Sequence, residues 1–169
     1  QGQTRINVNA ELDGRATRLS AIELVVDDPR GLSDRADVLR VRRVPRDERR
    51  GEASIDAIEA PDGTELYFTA LGNGWEAEFT GTASPGQSAS ITGVDHVALV
   101  QSWQRVDEAV LFYRSLLGLE LTDGPELLSE TGLVRSRAFS SRGGGVKLAL
   151  NVAPPLVGEA EYPNHVAFA

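Results

Sequence analysis

The chain contains two histidines among 169 residues, and each stands at the head of an apolar run: His96 in "DHVALV" and His165 in "NHVAFA". A neutral imidazole offers one nitrogen lone pair to a divalent cation, and two imidazoles brought to one point make the core of a metal site. Because the chain has no cysteine, thiolate metal sites, disulfides and cysteine nucleophiles are all excluded. Imidazole and carboxylate remain as ligands. Taken singly, a half-buried histidine is commonly just packed and hydrogen-bonded, so His96 alone stands open between ligand and core residue.

The elements around the histidines narrow that choice. "TRINVNAE" (residues 4–11) alternates apolar and polar positions as a half-buried strand does, and "LSAIELVVDDP" (19–29) reads as a second strand stopped by Asp-Asp-Pro. "GLSDRADVLR" (31–40) reads as a short helix. "ASIDAIEA" and "TELYFTAL" flank "PDG" (61–63) and form a hairpin, since proline presets one turn dihedral and glycine accepts positive φ. "TGTASPGQSAS" (80–90) is small, polar and aperiodic, the best linker candidate. The strand headed by His96 follows, then a helix carrying Val106, Ala109, Val110, Tyr113, Leu116 and Leu117 on one side with Gly118 as its stop. "LVRSRAFS" (133–140) and "VKLALNV" (146–152) are strands separated by Arg142 and a triple glycine.

An internal repeat organises these pieces. Shifted by about 142 residues, "TRINVNAE" falls on "VKLALNVA", so that Arg5 meets Lys147, Asn9 meets Asn151 and Glu23 meets His165. Glu23, His96 and His165 each open a strand of the same form, about 70 residues apart. The unit is a strand, a helix and several strands, and two units make one domain. Equivalent first strands of pseudo-symmetric units can meet at a shared axis, which favours a ligand role for both histidines over core packing.

Composition bounds the function. With 41% apolar and 25% charged residues the chain is globular, and no apolar run suggests a membrane span. A net charge of −8 argues against nucleic acid as a partner. Absence of cysteine and of a leader fits a cytoplasmic protein. A chain that starts at Gln1 and has no methionine is expected to be part of a longer product.

"DHVALV", "FYRSLLGLE" and "NHVAFA" resemble the first strand, helix end and next-module strand of the vicinal oxygen chelate superfamily. "GLVRSRAFSS" and "KLALNVAP" resemble its 4-hydroxyphenylpyruvate dioxygenase members, and most narrowly the dioxygenase-like C-terminal portion of bacterial bifunctional proteins whose N-terminal barrel is a 3-dehydroshikimate dehydratase. The resemblance implies an α+β fold of paired βαβββ modules forming half-open barrels. It implies a first, degenerate domain (1–79), a linker (80–90) and a metal-binding domain (91–169) holding one module and the start of the next.

By the same resemblance, His96 and His165 match the two histidine ligands, and Ser136 and Asn151 match pocket positions that face the substrate. Both are also ordinary candidates for satisfying backbone groups or facing water. Arg135 and Arg137 fall on the opposite strand face from Ser136 and are expected to be solvated or salt-bridged. The third ligand, a glutamate on the closing strand, is expected beyond Ala169; Glu159 and Glu161 are the carboxylates nearest His165 within the chain. In the first domain Glu23 replaces the histidine and Tyr67 stands where the ligand glutamate falls, with Glu65 on the same face, so a scaffold role is expected there.

The implied activity is non-haem Fe(II) oxidative decarboxylation and ring hydroxylation of a small aromatic 2-oxo acid, with the dehydratase barrel as partner in the parent chain. Mg2+ or Mn2+ in a non-redox lyase or isomerase is one alternative. An inactive packing or homo-oligomerisation domain of the dehydratase is the other. The chain alone is expected to turn over little.

Overall fold

The computed structural model describes residues 6–7, 18–45, 52–72, 93–129, 132–153 and 164–169. The linker expected at 80–90 lies outside these residues. Of the strand expected at 4–11, Ile6 and Asn7 are described and neither is in a strand.

The first module runs β1 (Ala21–Val25), α1 (Pro29–Val38), β2 (Ala57–Glu59) and β3 (Glu65–Thr69). Its sheet has the order β1-β3-β2, with β1 parallel and β2 antiparallel to β3. The hairpin at 61–63 forms as expected: Gly63 has φ 86° and its amide donates to the Ala60 carbonyl at 2.8 Å. Arg43 makes an isolated antiparallel bridge to Ile58 on β2.

Helix α1 begins at Pro29, two residues before the start read from sequence. Asp-Asp-Pro not only stops the strand but starts the helix. Asp28 is the N-cap, its carboxylate accepting from the Gly31 amide at 2.9 Å, and Pro29 occupies the first position, where a missing N–H costs nothing.

The second module runs β4 (Val94–Ser102), a 3-10 turn at Trp103–Arg105, α2 (Val106–Leu117), β5 (Glu120–Ser129), β6 (Gly132–Ser140) and β7 (Lys147–Ala153). A further strand, β8 (His165–Phe168), pairs antiparallel with β4 and gives a five-stranded sheet of order β5-β6-β7-β4-β8. Gly118 ends α2 in the left-handed conformation at φ 64°, the role its position suggested. Strand β5 was not evident beforehand because Asp-Gly-Pro interrupts it; the ladder to β6 shifts register between Asp123 and Glu126, which accommodates that interruption as a bulge.

The modules share a topology: a first strand parallel to the last, with the penultimate strand antiparallel to it. Ala109, Tyr113 and Leu116 of α2 cover Val97, Leu99, Phe139, Leu148 and Leu150 on one face of the second sheet. The same buried cluster takes in Ala36, Ile58, Leu66 and Phe68 of the first module, and the guanidinium of Arg35 on α1 donates to the Ser115 carbonyl on α2. The helices lie on a common core, on one face of the second sheet. Neither sheet closes into a barrel among the described residues.

Candidate metal centre

Period-2 alternation sends Val97 and Leu99 to the helices and His96, Ala98 and Val100 to the other face. The ladder pairs His96 with Ala167 and Ala98 with His165, so the histidines are diagonal neighbours on one face of adjacent strands. Their ring centroids are 6.1 Å apart and the rings stand at 76°. Two imidazoles on one ion at ~2.1 Å would place their centroids about 4.6–5.3 Å apart, so less than about 1.5 Å of closure suffices. His165 is exposed and His96 half-buried, which leaves the pair accessible to an incoming cation.

The face extends as ordered rows. His165 is opposite Ala98, Ala98 beside Ala149, Ala149 opposite Ala138 and Ala138 opposite Thr122. In the next row Val100 lies beside Asn151 and Asn151 opposite Ser136. The four residues singled out from sequence therefore share one sheet face, with Asn151 one strand from His96 and Ser136 two strands away. Val100 stands four residues along β4 from His96, so at ~3.3 Å per residue and ~4.8 Å per strand the Asn151 and Ser136 backbones lie about 14 and 16 Å from that of His96. Ala98, Ala149 and Ala138 separate the polar positions on this face, Ala98 being buried and the other two half-buried. Arg135 and Arg137 pair with Val152 and Leu150, which puts them on the opposite face as expected; both carry polar interactions.

Three residues beside the histidines escaped the sequence reading. Asp95 Oδ2 lies 2.8 Å from His96 Nδ1, and its Oδ1 accepts from Lys147 Nζ at 2.8 Å. The His96 hydrogen bond, followed by Lys147, holds the Asp95 carboxyl below the usual carboxylate range. Asn164 Oδ1 accepts from the Val100 amide at 2.7 Å, while its Nδ2 donates to Asp62 Oδ2 at 3.2 Å. A side chain thus extends the β4–β8 ladder past His165 and ties it to the first module's hairpin turn. The signal was present as a polar residue directly before each histidine.

The first module offers a contrast. Glu23 pairs in register with Tyr67, and its carboxylate accepts from the Thr69 hydroxyl. Tyr67 donates to Glu65 at 2.8 Å. These carboxylates are engaged by neighbouring hydroxyls. Glu159 and Glu161 lie outside the described residues, and among the described residues no three His, Cys, Asp or Glu side chains are grouped to hold a metal. The two imidazoles fit part of a ligand set. No helix among the described residues is long and apolar enough to cross a membrane.

No protein-family model matches the chain. It is 31% identical over 165 residues, 90% of its length, to a 3-dehydroshikimate dehydratase of Pseudomonas putida, of which it covers 26%. It is 35% identical over 106 residues, 60% of its length, to that of Pseudomonas aeruginosa, of which it covers 17%. The chain thus spans about a quarter or less of the curated relatives it matches. A solved xylose isomerase-like TIM barrel/4-hydroxyphenylpyruvate dioxygenase fusion protein superposes with a TM-score of 0.71 at 25% identity, over 93% of this chain and 26% of that one. A variant 4-hydroxymandelate synthase from Streptomyces coelicolor shares the fold, with a TM-score of 0.60 at 15% identity over 80% of this chain and 41% of that one.

The α+β modules and these likenesses define a protein of the vicinal oxygen chelate fold. More particularly, the chain is homologous to a segment of the bacterial 3-dehydroshikimate dehydratases.

Proposed function

We propose that the chain is a divalent-metal-binding, dioxygenase-like domain of a larger dehydratase-related protein. In this reading His96 and His165 supply two imidazole ligands, and Asn151 and Ser136 face a small aromatic 2-oxo acid. The observation that carries it is the convergence of both histidines on one sheet face, 6.1 Å between centroids, the face that also carries Asn151 and Ser136.

Neutral imidazoles bind a divalent ion without cancelling its charge, which leaves it able to attract an anionic acid. A bound non-haem Fe(II) would supply dioxygen chemistry and a chelation point for the 2-oxo acid. This chain's own contribution is position. The helices pack on the face beneath the sheet, and the Asn151 amide and Ser136 hydroxyl lie on the face of the histidines, their backbones about 14 and 16 Å from that of His96.

The test is metal titration of the protein, followed by dioxygen uptake with 4-hydroxyphenylpyruvate on the longest parent chain that carries this segment. One metal per chain and substrate-dependent uptake, both lost in His96→Ala, are expected. Metal binding without uptake would replace the redox reading with Lewis-acid chemistry, and absence of metal binding would refute the site.

A further inference from the structure

Neighbouring residues of a strand ordinarily point to opposite faces, so a histidine facing the cleft should have no contact with the side chain before it. Here the β4–β8 ladder shifts register between Val94 and His96: Val94 pairs with Phe168 and His96 with Ala167. Asp95 is the extra residue of a bulge, a feature that re-aims side chains. Its carboxylate reaches His96 Nδ1 at 2.8 Å through one oxygen and Lys147 Nζ at 2.8 Å through the other. Lys147 is one step before Leu148, the register partner of Val97, and so stands on the face of His96. The bulge thus brings carboxylate, imidazole and ammonium together on the cleft side of the sheet.

We infer that Asp95 is a positioning residue: braced by Lys147, it accepts Nδ1–H from His96, fixes the ring's tautomer and orientation, and presents Nε2 to the cation. The inference rests on the reading of His96 as a ligand. An imidazole whose nitrogens are otherwise equivalent must be told which one to leave bare, and a carboxylate on the far nitrogen does this while raising the basicity of the other. The lysine holds Asp95 in place through a separate oxygen, so the carboxylate need not swing to serve both partners. It also keeps the local charge balanced before the cation arrives.

The test uses the 169-residue chain labelled with 15N-histidine, free of metal, at about pH 8, where imidazole is neutral. Long-range proton–nitrogen spectra should show His96 as the Nδ1–H tautomer in the wild type. Asp95→Ala should lose that preference, while Asp95→Asn, whose amide oxygen can still accept, should retain it. Unchanged amide signals of the buried core residues Leu99, Tyr113 and Leu150 in uniformly 15N-labelled variants establish that the fold persists. Zn2+ or Co2+ affinity, measured in parallel, should fall about 10–100-fold in Asp95→Ala. An Nε2–H tautomer in the wild type, or the same tautomer in Asp95→Ala, would overturn the inference. Failure of the wild-type chain to bind metal would refute the metal-centre reading instead, while the tautomer spectra would still decide whether Asp95 orients the ring.

Discussion

Replacing Asn164 by alanine should loosen β8 without unfolding the protein. The strand is four residues long and lies at the end of its sheet, paired with β4. Its anchorage past His165 is the Asn164 side chain, which accepts from the Val100 amide at 2.7 Å and donates to Asp62 at 3.2 Å. The substitution leaves the Val100 N–H without its acceptor, at about 1 kcal/mol for a half-buried group, and removes a hydrogen bond to a carboxylate worth about another 1 kcal/mol. Together these are ~2 kcal/mol, or about 30-fold in a local opening equilibrium. Hydrogen exchange reads this directly: the Val100 amide should exchange about 30-fold faster. Asp62→Ala keeps the Val100 acceptor and removes the second bond, together with the Asp62 contacts to Thr64 in the hairpin turn, and should accelerate Val100 exchange about 5-fold. Exchange at Leu99 and Leu150, both fully buried, should change far less. Unchanged Val100 exchange, or equal acceleration throughout the core, would refute a local tether.

Other outcomes follow from single groups. The Tyr113 side chain is fully buried, and its hydroxyl has no partner among the described residues; burial, with the nearby Asp62 charge, pushes its pKa up. Tyr113→Phe removes a desolvated group and should leave thermal stability unchanged or raise it by ~1 kcal/mol, whereas a loss above about 1 kcal/mol would reveal a bound partner such as an internal water. Asp95 is expected to titrate below the ordinary ~3.9 of an aspartate. Its folded-state value is depressed, so the stabilisation it gives is complete above that ordinary value and fades as pH falls through the folded one. A carboxyl carbon NMR titration with a midpoint at or above about 4 would contradict the pairing with His96 and Lys147.

The candidate site was legible where it rests on rare residues in repeated contexts. His96 and His165 head strands of the same form, and alternation alone assigns them a face once the strands pair. Ser136 and Asn151 were singled out by the resemblance to the dioxygenases, while their direct opposition depends on the β6–β7 register, which no local pattern fixes. Asp95 was hidden for a sharper reason. Strict alternation sends it away from His96, and the bulge that reverses this comes from pairing with a strand about 70 residues distant. Asn164 was similarly silent because its role is to bridge two modules. Strand β5 was obscured by Gly124 and Pro125, residues that ordinarily interrupt a ladder and here sit at a register shift. The start of α1 could be read both ways, since Asp28 and Pro29 end a strand as readily as they cap a helix.

The central claim is that His96 and His165 hold one cation together, and a double-mutant cycle on metal affinity tests it most directly. Calorimetric titration of the wild type, His96→Ala, His165→Ala and the double variant with Zn2+ or Co2+ should give one ion per chain. Each single substitution should remove most of the affinity, and the double substitution should cost little beyond either one, because the ligands act as a unit. Independent losses that add, a stoichiometry of two, or binding untouched by either substitution would contradict the shared site.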